Sequence, residues 1–511
     1  MKKIDLLCLR FKSNQFSIHD TFLYTTNMKI TKILSALTIG VILAFQASAE
    51  TWNLDGSDYE MTLTASRTLA EGVTHKTIKL SGASQLEVQL IEVDMTSDKV
   101  DLLTNKSRNI DPDLKIKVSE DRLYKKNLSD QRKEVIEAGQ QPIVGINGDF
   151  FTNYGMLGNQ FSNGTIIRCD KTSYPVWYMT ADRRFGMGDF PLKATARATY
   201  SACDGTVAEY PVGSINNYRD ENYLTIFTPA PGRTTGTNKY GYELYAELIE
   251  GEVGIKGKCK FRIVDDPDSH VRCNSSLDEY YVLSGHGYGG LFLTAKWNGA
   301  NKILNDKSTG RPYPHLVAGD IVEVTFSTEI PDANIKEMIG GNPVILLNNE
   351  VQNTQDALDH LVNREPRTCI AYTNDNSKFF LAVVDGRRKG EAEGCTSRQL
   401  ACIMKNAGAE NAFNLDGGGS ACMLDALTDK VLNKPTDGFA QGIYDLQRAT
   451  QNSLWVVAKR GTSAIDDVAV DLNDENAPVE YYNLQGVRVY NPAAGLYIRR
   501  QGNNVAKTIL R

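Results

Sequence analysis

The chain has 511 residues, 41% hydrophobic and 23% charged, with nine cysteines and a formal charge of −6. This composition excludes a wholly disordered or collagen-like chain, a cysteine-dense mini-scaffold and a basic nucleic-acid binder. The length allows about two to four domains and a large buried core.

The first informative segment begins at Met28. Lys29 and Lys32 give a positive start, Ile33 to Phe45 is a mostly apolar run, and Ala47-Ser48-Ala49 is an A-x-A cleavage pattern. These are the three parts of a secretory signal peptide over residues 28–49, and the run is too short to span a bilayer. Residues 1–27, ahead of that signal, read as an overcalled N-terminal extension. The expected location is secreted, periplasmic or at the cell surface. Residues 1–49 carry six Lys/Arg against two Asp, so the chain from Glu50 has a net charge of −10. Cys8 leaves with the leader, and an even set of eight cysteines permits disulfides in an oxidising compartment. Cys259 and Cys273, flanking a polar hairpin-like stretch, are the best-placed pair. Cys369, Cys402 and Cys422 fall in apolar-patterned segments and read as small buried hydrophobes. The absence of C-x-x-C and the scattered histidines argue against a zinc site.

Residues 50–460 read as the main domain. Thr77 to Thr104 alternates as strands with a turn at Ser97 to Lys99. Leu123 to Ala138 has helical spacing and stops at Gly139. Pro142 to Ile146 is a short buried strand running into Asn147-Gly148-Asp149. Residues 160–335 carry short strand-like runs such as LTIFTPA, YELYAELIEG, YYVLSGHG, LFLTAKW and DIVEVTFST. From Glu337 to Lys459 strands alternate with helix. Phe379 to Val384 is uninterrupted apolar, as for a strand covered on both faces. Thr396 and Gln399 form a capping box ahead of a helix ending at Gly408. Ala412 to Leu415 is a short strand followed at once by Asp416-Gly417-Gly418-Gly419-Ser420. An acidic linker follows at 461–475, and 476–511 reads as a small β module. The predicted fold class is α+β, a large twisted mixed sheet flanked by helices, with a strand-rich middle region and an all-β tail.

Three carboxylates stand at apolar strand ends with glycine beside them: Asp149, Asp385 and Asp416. In open α/β sheets, sites gather at strand carboxyl ends, and glycine lets a substrate approach backbone N–H groups. Each Asp-Gly taken singly is a common turn. Their recurrence at three such ends favours a site. Arg364, Arg367, Arg387 and Arg448 lie in the same segments and are either ion-pair partners or phosphate clamps. The glycine loop lacks the G-K-[ST] of a P-loop, and Ser420 is outside a G-x-S-x-G elbow.

The motifs INGDFF, GGNPVILLNNE, REPRT, VVDGR, NAFNLDGGGSACM, NKPTDG and QRATQNSLWVV occur in the order and spacing of a known family. The chain resembles the phosphodiester glycosidase family from about Val73 to Lys459, most densely after Gly340. The stretches Ile215 to Glu243 and Val282 to Gly287 resemble it as well. The tail resembles the C-terminal modules of proteins exported by type IX-like secretion, which would make export machinery a partner at both ends.

The resemblance implies a hydrolase that removes a sugar, with N-acetylglucosamine one option, from a sugar-1-phosphodiester on a glycoconjugate or polysaccharide. It leaves a phosphomonoester, whose second pKa near about 6 makes it a good leaving group. The larger tasks are holding the anion and stabilising an oxocarbenium-like centre. Asp416 and Asp385 are then the leading acid/base or nucleophile candidates, with Asp149 a third carboxylate. Arg367 and Arg448 would bind phosphate, and Arg387 is a further substrate-binding candidate. Asn147, Thr368, Asn414, Gly417, Gly418, Gly419 and Ser420 would shape the pocket, and Glu243 is an outlying candidate. No cofactor is required, although Asp149, Asp385 and Asp416 are candidate Ca²⁺ ligands without EF-hand spacing. Two other readings share these residues: a non-catalytic glycan-binding surface protein, and a phosphodiesterase cutting P–O.

Overall fold

The computed structural model describes residues 50–108, 116–117, 121, 123–264, 273–294, 315–330, 334–353, 362–459, 479–482, 488–489, 495–501 and 504–510. The expected extension, signal peptide and acidic linker lie outside the described residues.

Two antiparallel sheets form the part that carries the strand-end aspartates. The nine-stranded sheet runs Glu50–Leu54, Ser57–Ala70, Val73–Ser81, Gln85–Asp94, Lys378–Val384, Arg367–Tyr372, Asn411–Asn414, Val344–Leu347, Glu350–Val351. Every pairing in it is antiparallel. The five-stranded sheet runs Lys430–Val431, Met423–Asp425, Gln141–Asn147, Asn452–Ala458, Val100–Lys106 and is likewise antiparallel. Strand side chains point alternately to opposite faces, so each sheet divides its apolar residues between two cores. Phe379, Leu381 and Val383 pack with Val144, Ile146, Leu454 and Val456 between the sheets. Phe380, Ala382 and Val384 face the other way, onto Leu400, Ile403 and Met404 of the helix Ser397–Asn406. On the far side of the five-stranded sheet, Trp455 and Leu424 meet Leu128 and Val135 of the helix Leu128–Glu137. The helix Ser397–Asn406 starts where its capping box predicts, whereas the helix Leu128–Glu137 starts later than the Leu123 expected from spacing. Asn127 caps one, and Thr396 with Gln399 forms the capping box of the other.

The third sheet has twelve strands, and part of it closes on itself. Thr206–Ile215, Lys193–Tyr200, Ile321–Ser327, Gly257–Ile263, Gly241–Gly251, Tyr281–His286 and Leu224–Phe227 follow one another. The last then pairs in parallel with the first, Val212 against Leu224 and Ile215 against Ile226. The result is a seven-stranded barrel, filled by Phe261, Leu244, Val322, Val324 and their neighbours. Closure removes the unpaired edges that an open sheet would leave.

This overturns the expected α+β class. Among the described residues there is no single mixed sheet flanked by helices. The chain is mostly strand, its two stacked sheets are antiparallel, and the middle region is a closed barrel. The apolar run at Phe379–Val384 is indeed covered on both faces, by a helix on one and a second sheet on the other. That pattern also fits a parallel sheet between helix layers, so the residues alone do not separate the two. The run LFLTAKW, expected as a strand, begins in the short helix Tyr288–Leu293. Short apolar runs carry too few residues for their period to decide. No disulfide is present among the described residues. All eight cysteines from Cys169 to Cys422 are free. Cys259 is buried in the barrel core and Cys273 is half-buried, and the two are not bonded. In the tail, Val479–Tyr482, Arg488–Val489, Gly495–Gln501 and Asn504–Leu510 form a four-stranded antiparallel sheet.

Candidate active site at the sandwich edge

The strands Gln141–Asn147 and Asn411–Asn414 belong to different sheets, and the loops after them are stitched together. Asn147 sits at the junction. Its Nδ2 donates to the Asp416 carbonyl at 2.6 Å. Its Oδ1 accepts from Thr368 Oγ1 at 2.9 Å and from the Cys422 amide at 3.1 Å. The Asp416 amide returns a bond to the Gly148 carbonyl at 3.0 Å. Asn147 and Thr368 are fully buried, so they join the two sheets. Gly148 is required there, because a Cβ would lie 2.6 Å from Ile339 Cδ1 and overlap the Asn452 amide.

Asp149 follows directly and is buried. Its Oδ2 accepts the Gly158 amide at 2.6 Å, its Oδ1 lies 3.4 Å from the Tyr174 hydroxyl, and its own amide donates to Asn452 Oδ1 at 2.8 Å. Burial pushes its carboxyl up to about 7, opposed by the Gly158 amide and Arg168 and reinforced by the nearby charge of Asp416. Asp416 is half-buried, and burial lifts it to about 6 against a hydrogen bond from Ser420 and the charge of Arg448. The structure thus brings Asp149 and Asp416 into electrostatic contact beside one loop. Pairs whose environments push carboxyl pKa values upward and apart are what acid/base assignments need.

The glycine loop follows Asp416 directly. Gly418 has φ of 57° and donates its amide to the Pro366 carbonyl at 2.8 Å. Two arginines flank it. Arg448 grips Asp437 through Nε and Nη2 at 2.7 and 2.6 Å, and its Nη1 reaches to 3.5 Å from Ser420 Oγ. Arg387 donates from Nε to Glu365 at 2.7 Å, while its Nη2 would lie 3.3 Å from a Cβ on Gly418. Both side chains are more than a third exposed and face solvent beside the loop.

A Cβ at Gly419 would overlap Arg448 Nη2 and Asp437 Oδ1. The obstructing atoms are flexible side-chain ends, so Gly419→Ala is expected to fold. The loss of a half-exposed ion pair costs at most about 1 kcal/mol. The displaced arginine is expected to raise KM for an anionic substrate about tenfold while leaving kcat within about twofold. Steady-state kinetics beside a thermal melt measures both. An unchanged KM would remove Arg448 from the anion site.

The other candidates lie elsewhere. Asp385 is buried and its oxygens are taken up inside the chain, by Arg388 at 3.0 Å, Asn433 Nδ2 at 3.2 Å and the Lys434 amide at 3.0 Å. Burial nevertheless holds its carboxyl up, to about 6. Arg367 is buried and donates to the carbonyls of Cys395 and Asn363 at 3.0 and 2.8 Å. Asn414 donates to the Asn342 carbonyl at 2.7 Å, and its Oδ1 is buried with no partner among the described residues. Glu243 lies in the barrel wall, where Thr235, Thr237, Ser275 and Ser284 donate to it and Arg219 stands 3.7 Å away. None of those four belongs to the Asp149–Asp416 group. The three proposed calcium ligands do not make one oxygen cage. Among the described residues no three carboxylate, imidazole or thiol groups gather to hold a metal ion.

Several supporting residues were not singled out from the sequence. Asn452 holds Asp149, Asp437 holds Arg448, and Asn433 ties Asp385 to the Ala421 carbonyl at 3.1 Å. Asn433 and Asp437 are the first and fifth residues of the NKPTDG motif, so its spacing carried a signal. Asn452 lies within the QRATQNSLWVV motif, which marked the segment but not this residue's role.

Residues 285–457 match the phosphodiester glycosidase family. No curated protein sequence matches the chain. Among solved structures, a hypothetical protein from Synechocystis is 16% identical with a TM-score of 0.48, over 76% of this chain. The chain spans only 62% of that protein's length. A candidate exported protein from Burkholderia pseudomallei is 14% identical with a TM-score of 0.49, covering 81% of this chain and 100% of its own. The zebrafish N-acetylglucosamine-1-phosphodiester α-N-acetylglucosaminidase catalytic domain, auto-inhibited by its pro-peptide, is 12% identical with a TM-score of 0.38. That match covers 78% of this chain and 87% of the zebrafish chain.

Proposed function

We propose that the chain is an exported hydrolase of glycosyl phosphodiesters, removing a sugar such as N-acetylglucosamine and leaving a phosphomonoester. The observation that carries this reading is the pair of raised carboxyls, Asp149 and Asp416, beside a glycine loop flanked by Arg387 and Arg448. The family match over 285–457 supports the same reaction class. In this mechanism Arg387 and Arg448 hold the phosphate. The C1–O bond breaks with its electron pair going to the phosphate oxygen. Asp416, the more readily ionised carboxyl, stabilises the cationic centre and takes the proton of the attacking water. Asp149, the carboxyl more often protonated, donates a hydrogen bond to the substrate. Asp385 positions the segment Asn433–Asp437, and through it Arg448. The leader at 28–49 and the tail serve export, to the periplasm, the cell surface or the medium.

The test is incubation of purified protein with UDP-N-acetylglucosamine and a panel of sugar-1-phosphodiesters in ¹⁸O water. Free sugar carrying the label at its anomeric carbon is the expected product. Label in phosphate would mean P–O cleavage, and binding without sugar release would mean a glycan-binding protein. The same assay read against pH is expected to give a narrow bell. Activity falls below about 6 as Asp416 takes up a proton and above about 7 as Asp149 loses one. A flat profile from about pH 5 to 9 would dissociate this carboxylate pair from the reaction.

A further inference from the structure

Outside that edge, a second cluster of charges faces a cavity of about 200 Å³. Its wall includes Lys106, Arg108, Arg168 and Arg233, with Asp121 and Asn216 among the other lining residues. Among the described lining residues, four cations thus share a small space with one carboxylate. Asp121 is engaged on two sides. Arg233 Nη1 lies 3.0 Å from its Oδ1, and Lys106 Nζ donates to its carbonyl at 2.7 Å. Glu134, the next acid, is occupied by Lys126 at 2.7 Å and by the amide of Arg108 at 3.0 Å. Arg168 pairs with Asp170, yet its Nε is buried with no partner among the described residues. Lys106 is buried as well.

We propose that this cavity is an oxyanion site that takes a tetrahedral phosphate group. Guanidinium forks and an ammonium converging from several segments suit a compact anion with several acceptor oxygens. The volume lies below the roughly 300–1,000 Å³ of pockets that enclose a drug-sized ligand, so only the phosphate enters. A sugar carrying it stays outside.

The titration of Lys106 fits the same conclusion. Burial lowers its ammonium to about 8, with Arg108 and Arg233 acting in the same direction and Asp121 and Glu134 against it. An anion in the cavity favours the charged form, so at about pH 8 binding draws a proton from buffer. The cavity holds neither carboxyl of the Asp149–Asp416 pair, and of its lining residues Arg168 also acts on the Asp149 carboxyl, so the tested variants are placed at Arg108 and Arg233.

The experiment is calorimetric titration of the full chain with inorganic phosphate at constant ionic strength, with chloride as control. Arg108→Gln and Arg233→Gln are each expected to weaken binding about tenfold or more, and Arg184→Gln, at an exposed arginine outside both sites, to change it less than about twofold. Arg108 is exposed, so its substitution keeps the test valid if the Arg233 variant unfolds. At about pH 8 the binding heat is expected to vary with the buffer's ionisation enthalpy, and this dependence is expected to vanish in Lys106→Met. Glucose 6-phosphate is the second probe. Affinity equal to that of phosphate marks a group carried on a sugar, and weaker affinity marks the free ion. The proposal is overturned if phosphate gives no more heat than chloride, or if Arg448→Gln abolishes binding while the Arg108 and Arg233 variants retain it.

Discussion

Asp416→Asn is expected to lower kcat for sugar-1-phosphodiester hydrolysis by about 10²–10⁴, the range for loss of a positioned acid/base group. Three features make this the most sensitive position. Its carboxyl receives a hydrogen bond from Ser420, lies in the field of Arg448 and is electrostatically coupled to Asp149. Asparagine keeps the shape and removes the charge. Its backbone bonds to Asn147 and Gly148 remain, so the loop is expected to hold its course. Stability separates this outcome from unfolding. Burial raises the carboxyl from its ordinary value to about 6. The folded state therefore disfavours the ionised form, and Asp416's favourable contribution is present in acid and lost as pH rises through that value. The variant is accordingly expected to melt at or above the wild-type temperature at about pH 8, and nearer to it at about pH 4. A folded Asp416→Asn protein with full activity would end the assignment. Unchanged activity in Asp149→Asn alone would leave Asp416 in place and move the second role elsewhere.

The largest expected effect on stability is at Trp455. Trp455→Ala is expected to cost about 3–5 kcal/mol by urea denaturation, the range for removing a buried aromatic. The ring is fully buried, and a Cβ on Gly145 of the neighbouring strand would overlap it. Its Nε1 donates to Ser453 Oγ at 2.7 Å, and Ser453 in turn donates to Gln131 of the helix Leu128–Glu137 at 2.6 Å. Alanine removes the packing and the anchor of that chain of bonds together. The strand Asn452–Ala458 also carries Asn452, which holds the Asp149 amide. Some loss of activity is therefore expected even well below the melting transition, while Trp455→Phe keeps most of the packing and is expected to cost about half as much. A loss under about 1 kcal/mol in Trp455→Ala would mean that the site collapses around the missing ring.

The sequence was most legible where one local rule decides the outcome. The capping box at Thr396 and Gln399, the stop at Gly139 and the short strands entering Asn147 and Asn414 all follow from residue chemistry within a few positions. Sheet direction and closure were not legible. Val212 meets Leu224 in a parallel pair that no spacing announces, and Phe379–Val384 carries the same apolar pattern whatever covers it. For the site, glycine beside a strand-end carboxylate pointed to Asp149, Asp385 and Asp416 alike. Only the packing separates Asp385, whose oxygens meet Arg388, Asn433 and Lys434, from the other two. Arg367 and Arg448 likewise read the same as letters, yet one faces buried carbonyls and the other a glycine loop at the surface.

The interleaving of the five-stranded sheet bears on how this chain can be divided. Gln141–Asn147 lies between Met423–Asp425 and Asn452–Ala458, with Val100–Lys106 on the outer side of the latter. The segment 285–457 that matches the family holds both partners of that central strand but not the strand itself. Excised alone, it would expose two apolar strand edges where a third strand belongs, and would carry Asp416 without Asp149. The stretch of sequence most readily recognised is therefore not a unit of folding, and the earlier third of the chain is a structural component of the same site.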